Sequence, residues 1–195
     1  MAISNTSITN MALGKIGAKP IVNIDDTTDT NQGAIQARLH FEQTRDALIR
    51  SHWWRFARAR ATLSVSVDTP DFEWDYQYPL PNDFLAMRSI YEDRVSDENI
   101  DPYELEGKML LTDETEMSIR YIKKVTDPTE FDPLFVEVFI LKLGLKFISS
   151  LAGGSPKLQE TLQNELRVIM PAVRALDRQE TNTAGRDTWN DERYS

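Results

Sequence analysis

The residues in this chain best suited to chemistry are its arginines and its aromatics. Arg55, Arg58 and Arg60 form the one local basic cluster in a protein whose formal net charge is -9. A guanidinium presents a planar fork of donors to a carboxylate or phosphate. The cluster could therefore touch DNA or an acidic neighbouring subunit, and the subunit contact ranks above DNA. A solvated strand face, with these arginines paired to Glu73 and Asp75, accounts for them at least as well. Just upstream, Trp53, Trp54 and Phe56 could anchor an interface, where large rigid rings contribute most. Adjacent helical residues are turned by roughly 100°, so the two tryptophans should not share a pocket. Trp53 and Phe56 are expected in the core, and Trp54 at an interface.

The other reactive residue types carry weaker signals. His40 and His52 are the only histidines, and their separation does not give the adjacent-turn geometry of a helical metal pair. Asp25, Asp26 and Asp29 lack the D-x-D-x-D-G spacing and closing glutamate of a calcium loop, so helix capping explains them better. Acidic pairs such as Glu73 with Asp75, or Glu114 with Glu116, could flank a scissile bond as acid and nucleophile. Nothing in the sequence isolates one such pair in an apolar pocket that would raise a pKa. HExxH, Walker A, GxSxG and GxGxxG patterns do not occur. With no cysteine, thiolate catalysis, disulfides and cysteine-ligated zinc are excluded. The expectation is a non-enzymatic protein with no catalytic residues, no cofactor and no metal.

Composition sets the frame for these side chains. At 195 residues, 41% hydrophobic and 27% charged, the chain is an ordinary globular protein that can bury one core and carry an inserted subdomain. No lysine or arginine run forms a phosphate-binding stripe, so tight sequence-independent DNA binding is disfavoured. The opening MAISNTSITN lacks the basic and apolar regions of a signal peptide, and export by that route is not expected. The longest apolar stretch, Leu134 to Ala152, contains Glu137, Lys142 and Lys146. Each would cost roughly 2.5 to 3.5 kcal/mol near a bilayer centre, which favours a buried helix over a membrane span.

Periodicity places the elements. A first helix is predicted from near Ser7 to Gly17, with Ile8, Met11, Ala12 and Ile16 on one face. The turn-rich IDDTTDTN leads into a second, from about Asn31 to the region of Trp54. Its core stripe is Phe41, Leu48, Ile49, His52, Trp53 and Phe56, with Arg38, Glu42, Arg45 and Arg50 outside. From Ala57 to Val67 the period changes to two, predicting a strand, and Phe72, Trp74, Tyr76 and Tyr78 predict another. Pro79 and Pro81 interrupt the ladder before a third apolar segment, Phe84 to Tyr91. After an acidic loop from Glu92 to Pro102, a hairpin turns at Gly107 and a last strand carries Met117, Ile119 and Tyr121. Together these predict one central antiparallel sheet. Asp132 and Pro133 start a helix that runs to Gly153 and is buried on several sides. Ser155 and Pro156 start a final helix with a stripe of Leu158, Leu162, Leu166, Ile169, Val173 and Leu176, kinked near Arg167 by Pro171.

The predicted fold is α+β, mainly α: a bundle of about four helices with an inserted antiparallel β-sheet subdomain and an extended C-terminal tail. Residues 1–56 and 127–181 supply the two halves of the bundle, 57–126 the insertion and 182–195 the tail. In that tail Trp189 and Tyr194 sit among Arg186, Asp187, Asp191, Glu192 and Arg193. Such a segment can order on a partner that offsets its entropy; the alternative is a frayed terminus, and the two aromatics favour binding. Arg186, Trp189, Arg193 and Tyr194 thus join Trp54, Arg55, Arg58 and Arg60 as interface candidates.

Six segments in order carry a resemblance: ALGKIGAKPI, IDD before the second helix, LIRSHWWRFA at its end, WDYQYPLPNDFL, YIKKVTDPTEFDPLF before the core helix, and a long polar final helix. Over nearly its whole length the chain resembles the tail tubular protein A, or head-to-tail adaptor, family of podoviruses. The resemblance implies a structural subunit in a ring, usually of twelve copies, docked under the portal protein and above the tail nozzle of a short-tailed bacteriophage. It implies partners in the portal, the nozzle protein and sister copies, with DNA passing through the channel without specific binding. An acidic wall, which repels phosphates, is compatible with such a conduit. The location implied is the virion tail at the head-to-tail interface, with the host cytoplasm during assembly. The alternative is a virion-associated peptidoglycan hydrolase with paired carboxylates about 5 to 9.5 Å apart. A nucleic-acid-binding regulator is a third reading, which the charge balance disfavours.

Overall fold

The first three α-helices begin where a polar side chain satisfies free amides of the first turn. The computed structural model describes residues 3–90 and 102–179. Helix α1, Asn5–Lys15, is opened by a reciprocal capping box between Ser4 and Ser7. Helix α2, Gln32–Ser51, is capped by Asn31, whose side chain accepts from Gly33 N. Asp132 accepts from Leu134 N at 2.8 Å and Pro133 occupies the first turn of α3, Pro133–Leu151. Helix α4, Pro156–Gln179, continues through Pro171. Between α2 and α3 lie six strands: β1 Arg58–Leu63, β2 Tyr76–Pro79, β3 Phe84–Ile90, β4 Tyr103–Glu106, β5 Met109–Thr112 and β6 Met117–Lys123. The fold is α+β and mainly α, with the strands inserted into a four-helix framework.

Helix α3 is the axis of the bundle. Ten of its residues, from Phe135 to Ile148, are buried, and α1, α2 and α4 all pack on it. Gly144 permits a close approach of both α4 and α1. A Cβ placed there would meet the Leu162 side chain at 3.0 Å and the Ala12 carbonyl oxygen at 3.7 Å. Burial of a full leucine or phenylalanine side chain contributes about 1.5–3 kcal/mol, and α3 buries more apolar side chains than any other described element. An aromatic chain then runs outward from it. Phe41 meets Phe139 at 4.9 Å, Phe139 meets Phe135 at 5.6 Å, and Phe135 meets both Phe56 and Phe131 at 4.9 Å.

The single predicted sheet is two. Sheet A has the order β1-β6-β3 and sheet B the order β2-β5-β4, both antiparallel. Their facing side chains share one small core of Leu63, Tyr78, Leu110, Met117, Ile119 and Tyr121, flanked by Ala59, Ala61 and Met87. Side chains alternate across a strand, so the residues between these on β1 and β6 point away from sheet B. At one end of that outer side Ile122, with Ala86 and Leu85 of β3, joins the bundle core. The hairpin turns at Gly107 as predicted, with φ 57°.

Several boundaries differ from the sequence reading, each for a physical reason. Strand β1 stops at Leu63; Val65 and Val67 continue the alternation but have no ladder partner and stand exposed. Phe72 is 79% exposed and precedes β2, which begins only at Tyr76. Met11 is half-exposed although it follows the α1 stripe. Arg45, expected outside, is buried at 2% exposure; its Nε donates to Asp46 Oδ1 at 2.8 Å, and Asp46 in turn meets Lys124 Nζ at 3.2 Å. A buried charge is tolerable only when paired, and this pair also ties α2 to the end of β6. The predicted acidic loop from Glu92 lies outside the described residues, apart from Pro102.

Candidate functional site

The junction between α2 and β1 decides which tryptophan is available. Helix α2 ends at Ser51, with His52 extended at its cap, so the helical rotation that separates neighbouring side chains no longer applies to Trp53 and Trp54. Trp54, expected at an interface, is buried instead, while Trp53 and Phe56, expected in the core, are partly buried and pack against it. Trp54 is 4% exposed, its indole Nε1 donates to Leu48 O at 2.9 Å, and its ring meets Phe135 at 5.1 Å and His52 at 5.0 Å. It is a core residue. Trp53 is half-buried at the surface, with the guanidinium carbons of Arg58 and Arg88 at 5.3 Å and 5.4 Å from its ring centre.

Cation–π contacts of this kind contribute about 0.5–1 kcal/mol each at exposed sites. Here they also fix the orientation of two arginines. Arg58 is held further by Nε and Nη2, which donate to Trp53 O at 3.3 Å and 3.0 Å. One strand position on, Arg60 lies opposite Arg120, and Thr62 lies opposite Ser118, with the two hydroxyl oxygens 3.0 Å apart. These residues, with the flanking Ala61 and Ile119, line a depression of about 380 Å³ on the outer side of sheet A. The pairing of β3 adds Ser89 opposite Arg120. Arg55 is exposed on the short 3-10 turn Arg55–Ala57 that enters β1.

The structure therefore brings Arg58 and Arg88 onto Trp53 and pairs Arg60 with Arg120 along the same sheet. Arg58 and Arg60 come from the sequence candidates; Arg88, Arg120 and Trp53 were missed as site residues. A signal for Arg120 was present, because it alternates with Met117, Ile119 and Tyr121 and so must face away from their core. Guanidinium forks beside hydroxyls form a donor set for carboxylates or phosphates. Arg186, Trp189, Arg193 and Tyr194 lie outside the described residues.

Strand β4 and the connections that join the two sheets carry the opposite charge. Nine exposed acidic residues lie in 64–79 and 102–116, and Lys108 is the one basic residue there. Asp113 Oδ1 accepts from Asp75 N at 3.0 Å, which gathers carboxylates at one end of sheet B. Buried Tyr78 donates its hydroxyl to Glu114 O at 2.7 Å; burial raises its pKa, with the nearby Tyr76, Glu114 and Glu116 adding to the effect. Exposed Val65, Val67 and Phe72 border this acidic surface.

The remaining candidates have local roles. Asp26 Oδ1 accepts from Thr28 N at 2.9 Å and Thr28 Oγ1 at 2.6 Å, and these bonds hold its pKa below the ordinary carboxylate value. Asp29 accepts from Asn31 N, so the aspartates close the turn before α2. Arg38 clamps the same turn, donating to Asp26 O and Asp29 O, both at 2.7 Å. His40 lines a second hollow of about 670 Å³ with Lys142 and Lys146, between α2, α3 and α4. Among the described residues, no group of three or more histidines and carboxylates could hold a metal ion, and no helix is long and apolar enough to cross a membrane.

Fold and surface together define a helical framework that carries a two-layered β insertion, with arginines on the outer side of sheet A and carboxylates on the connections between the sheets and on β4. Compared with known protein families and with curated proteins, the chain matches none.

Proposed function

We propose that the chain is a structural head-to-tail adaptor of a short-tailed bacteriophage, a ring subunit between portal and tail nozzle around the DNA channel. The observation that carries this reading is where the resembling segments meet. LIRSHWWRFA forms the α2–β1 junction, WDYQYPLPNDFL the β2–β3 connection, and YIKKVTDPTEFDPLF the passage from β6 into α3. Distant in sequence, these three segments bind one another. Trp54 and Phe56 pack on Phe135, and Phe56 also packs on Phe131. Asp83 accepts from Tyr121 Oη at 3.0 Å, and its carbonyl accepts from Lys124 N. The resemblance thus falls on the seam that fixes the β layers to the bundle. A fixed projection with charged and apolar outer surfaces suits surface recognition, where large rigid side chains and complementary charge contribute most.

The test is reconstitution on portal-bearing particles that lack tails. Electron microscopy is expected to show added chain as a ring of density below the portal, and particles that otherwise leak DNA to retain it. Clearing of peptidoglycan by the purified chain in a zymogram, with no density gained at the portal, would overturn the reading.

A further inference from the structure

Helices α2 and α4 both pack on α3 and leave between them the hollow of about 670 Å³. Its size lies within the range of binding pockets, and its walls combine two chemistries. Ala47, Leu145 and Leu166 supply apolar surface, while His40, Lys142 and Lys146 supply donors. Among the described residues no carboxylate lines it, and neither lysine makes an ion pair. In a chain of formal net charge -9, two lysines beside apolar walls form a socket for an apolar group that carries negative charge.

The β1–β2 connection offers that combination. Phe72 is 79% exposed between Asp71 and Glu73, which are exposed as well. Glu73 has φ 74°, and Trp74 N donates to Phe72 O at 2.9 Å, the bond of a tight three-residue turn. Residues other than glycine rarely take this conformation, and it persists where the surrounding structure enforces it. The turn thus holds a phenyl ring in water with a carboxylate on each side in sequence. Val65 and Val67 are exposed on the same connection, and large apolar groups left together in water mark a surface that another molecule covers. Phe72 does not line the hollow of its own molecule. Strand β1 carries the chain about 20 Å, at roughly 3.3 Å per residue, from Ala57 in the bundle core to Leu63 in the β core.

We infer that Phe72, flanked by Asp71 and Glu73, inserts into the hollow between α2, α3 and α4 of a second copy of this chain. The inference rests on the ring reading above and names its contact. Leu145 and Leu166 receive the ring, and Lys142 and Lys146 meet the two carboxylates. Desolvated aromatic anchors carry much of the energy of such contacts, and the charges set orientation and rate of encounter. Knob and socket are different surfaces, so a dimer leaves one of each unused and the contact propagates until a ring closes.

Two variants of the full chain test it by sedimentation velocity. Phe72→Ser removes the knob at an exposed position, and Lys142→Glu with Lys146→Glu closes the socket to carboxylates. The unaltered chain is expected to form species larger than a dimer, alone or on portal particles, and each variant alone to associate roughly thirtyfold more weakly. An equal mixture of the two is expected to give dimers and nothing larger, because only one knob and one socket then remain intact. Those dimers also show that both variants have folded. As the chain has no cysteine, Phe72→Cys combined with Ala47→Cys should give a ladder of disulfide-linked oligomers on oxidation, and either change alone should give none beyond a dimer.

The contact is overturned if the mixture stays monomeric or if Phe72→Ser associates like the unaltered chain. Loss of rings in Lys142→Glu/Lys146→Glu with rings intact in Phe72→Ser also overturns it, and assigns the hollow to a different occupant. Rings on portal particles that survive both variants leave the ring reading standing and remove this contact. An unaltered chain that associates neither alone nor on portal particles removes both.

Discussion

The bundle and the β layers solve stability in different ways. Helix α3 is covered on nearly every side, and its phenylalanines join one extended aromatic core. The two sheets share only a thin core, six buried residues with partly buried neighbours, and each turns its other side outward. Hydrophobic burial scales with area, so the bundle supplies most of the folding free energy. The β layers, relieved of that task, can leave charged and apolar groups at the surface. Their outer surfaces suit recognition because the seam of Trp54, Phe56, Phe131 and Phe135 anchors them to something stable.

Substitutions can break this contrast or sharpen it. Phe135→Ala removes a fully buried ring that contacts Trp54, Phe56, Phe131 and Phe139. It should cost about 3–5 kcal/mol, read as a lower denaturant midpoint for the whole molecule. Leu110→Ala, in the thin core, should cost about 2 kcal/mol. Hydrogen exchange is expected to place that loss in β2, β4 and β5 while α3 amides keep their protection. Equal loss in α3 would show that the two regions unfold as one.

Tyr121→Phe should cost about 1 kcal/mol through the lost hydrogen bond to Asp83. It also changes the alkaline limit. Burial first, and then Asp83, pushes the Tyr121 pKa up to about 12 from an ordinary value of 10.0. A raised folded pKa gives stability that is complete below the unfolded value and lost as pH rises through the folded one. The unaltered chain should therefore lose stability between these two values, and Tyr121→Phe should lose less there. Asp132→Ala removes the α3 cap and should also cost about 1 kcal/mol, without a change in that alkaline window.

The bundle was legible because its signals are local. Asp132-Pro133 starts α3, and the four-four-three stepping of Leu158, Leu162, Leu166 and Ile169 describes α4, each from a few adjacent residues. The β region needs information that no short segment contains. Alternation through Val65 and Val67 looks like a strand, but a strand needs a ladder of partners, and beyond Leu63 the described pairing is the single bond from Ser66 N to Gln77 O. One sheet and two sheets share the same period. The burial of Trp54 beside Trp53 follows from a helix that ends at Ser51, a boundary that no glycine or proline marks. Arg58 and Arg60 could be found from their crowding. Arg88 and Arg120 reach the same face through strand pairing across tens of residues, which local pattern does not encode.

The stacked arrangement at Trp53 has an optical consequence. An indole flanked by two cations at the water boundary should emit differently from Trp54, enclosed among hydrocarbon rings three bonds' reach away along the chain. Any partner that draws either guanidinium aside will change the emission of the first and leave the second as it was. Replacing Trp54, Trp74 and Trp189 by phenylalanine would isolate that signal, giving the protein a built-in optical gauge of when its basic side is occupied.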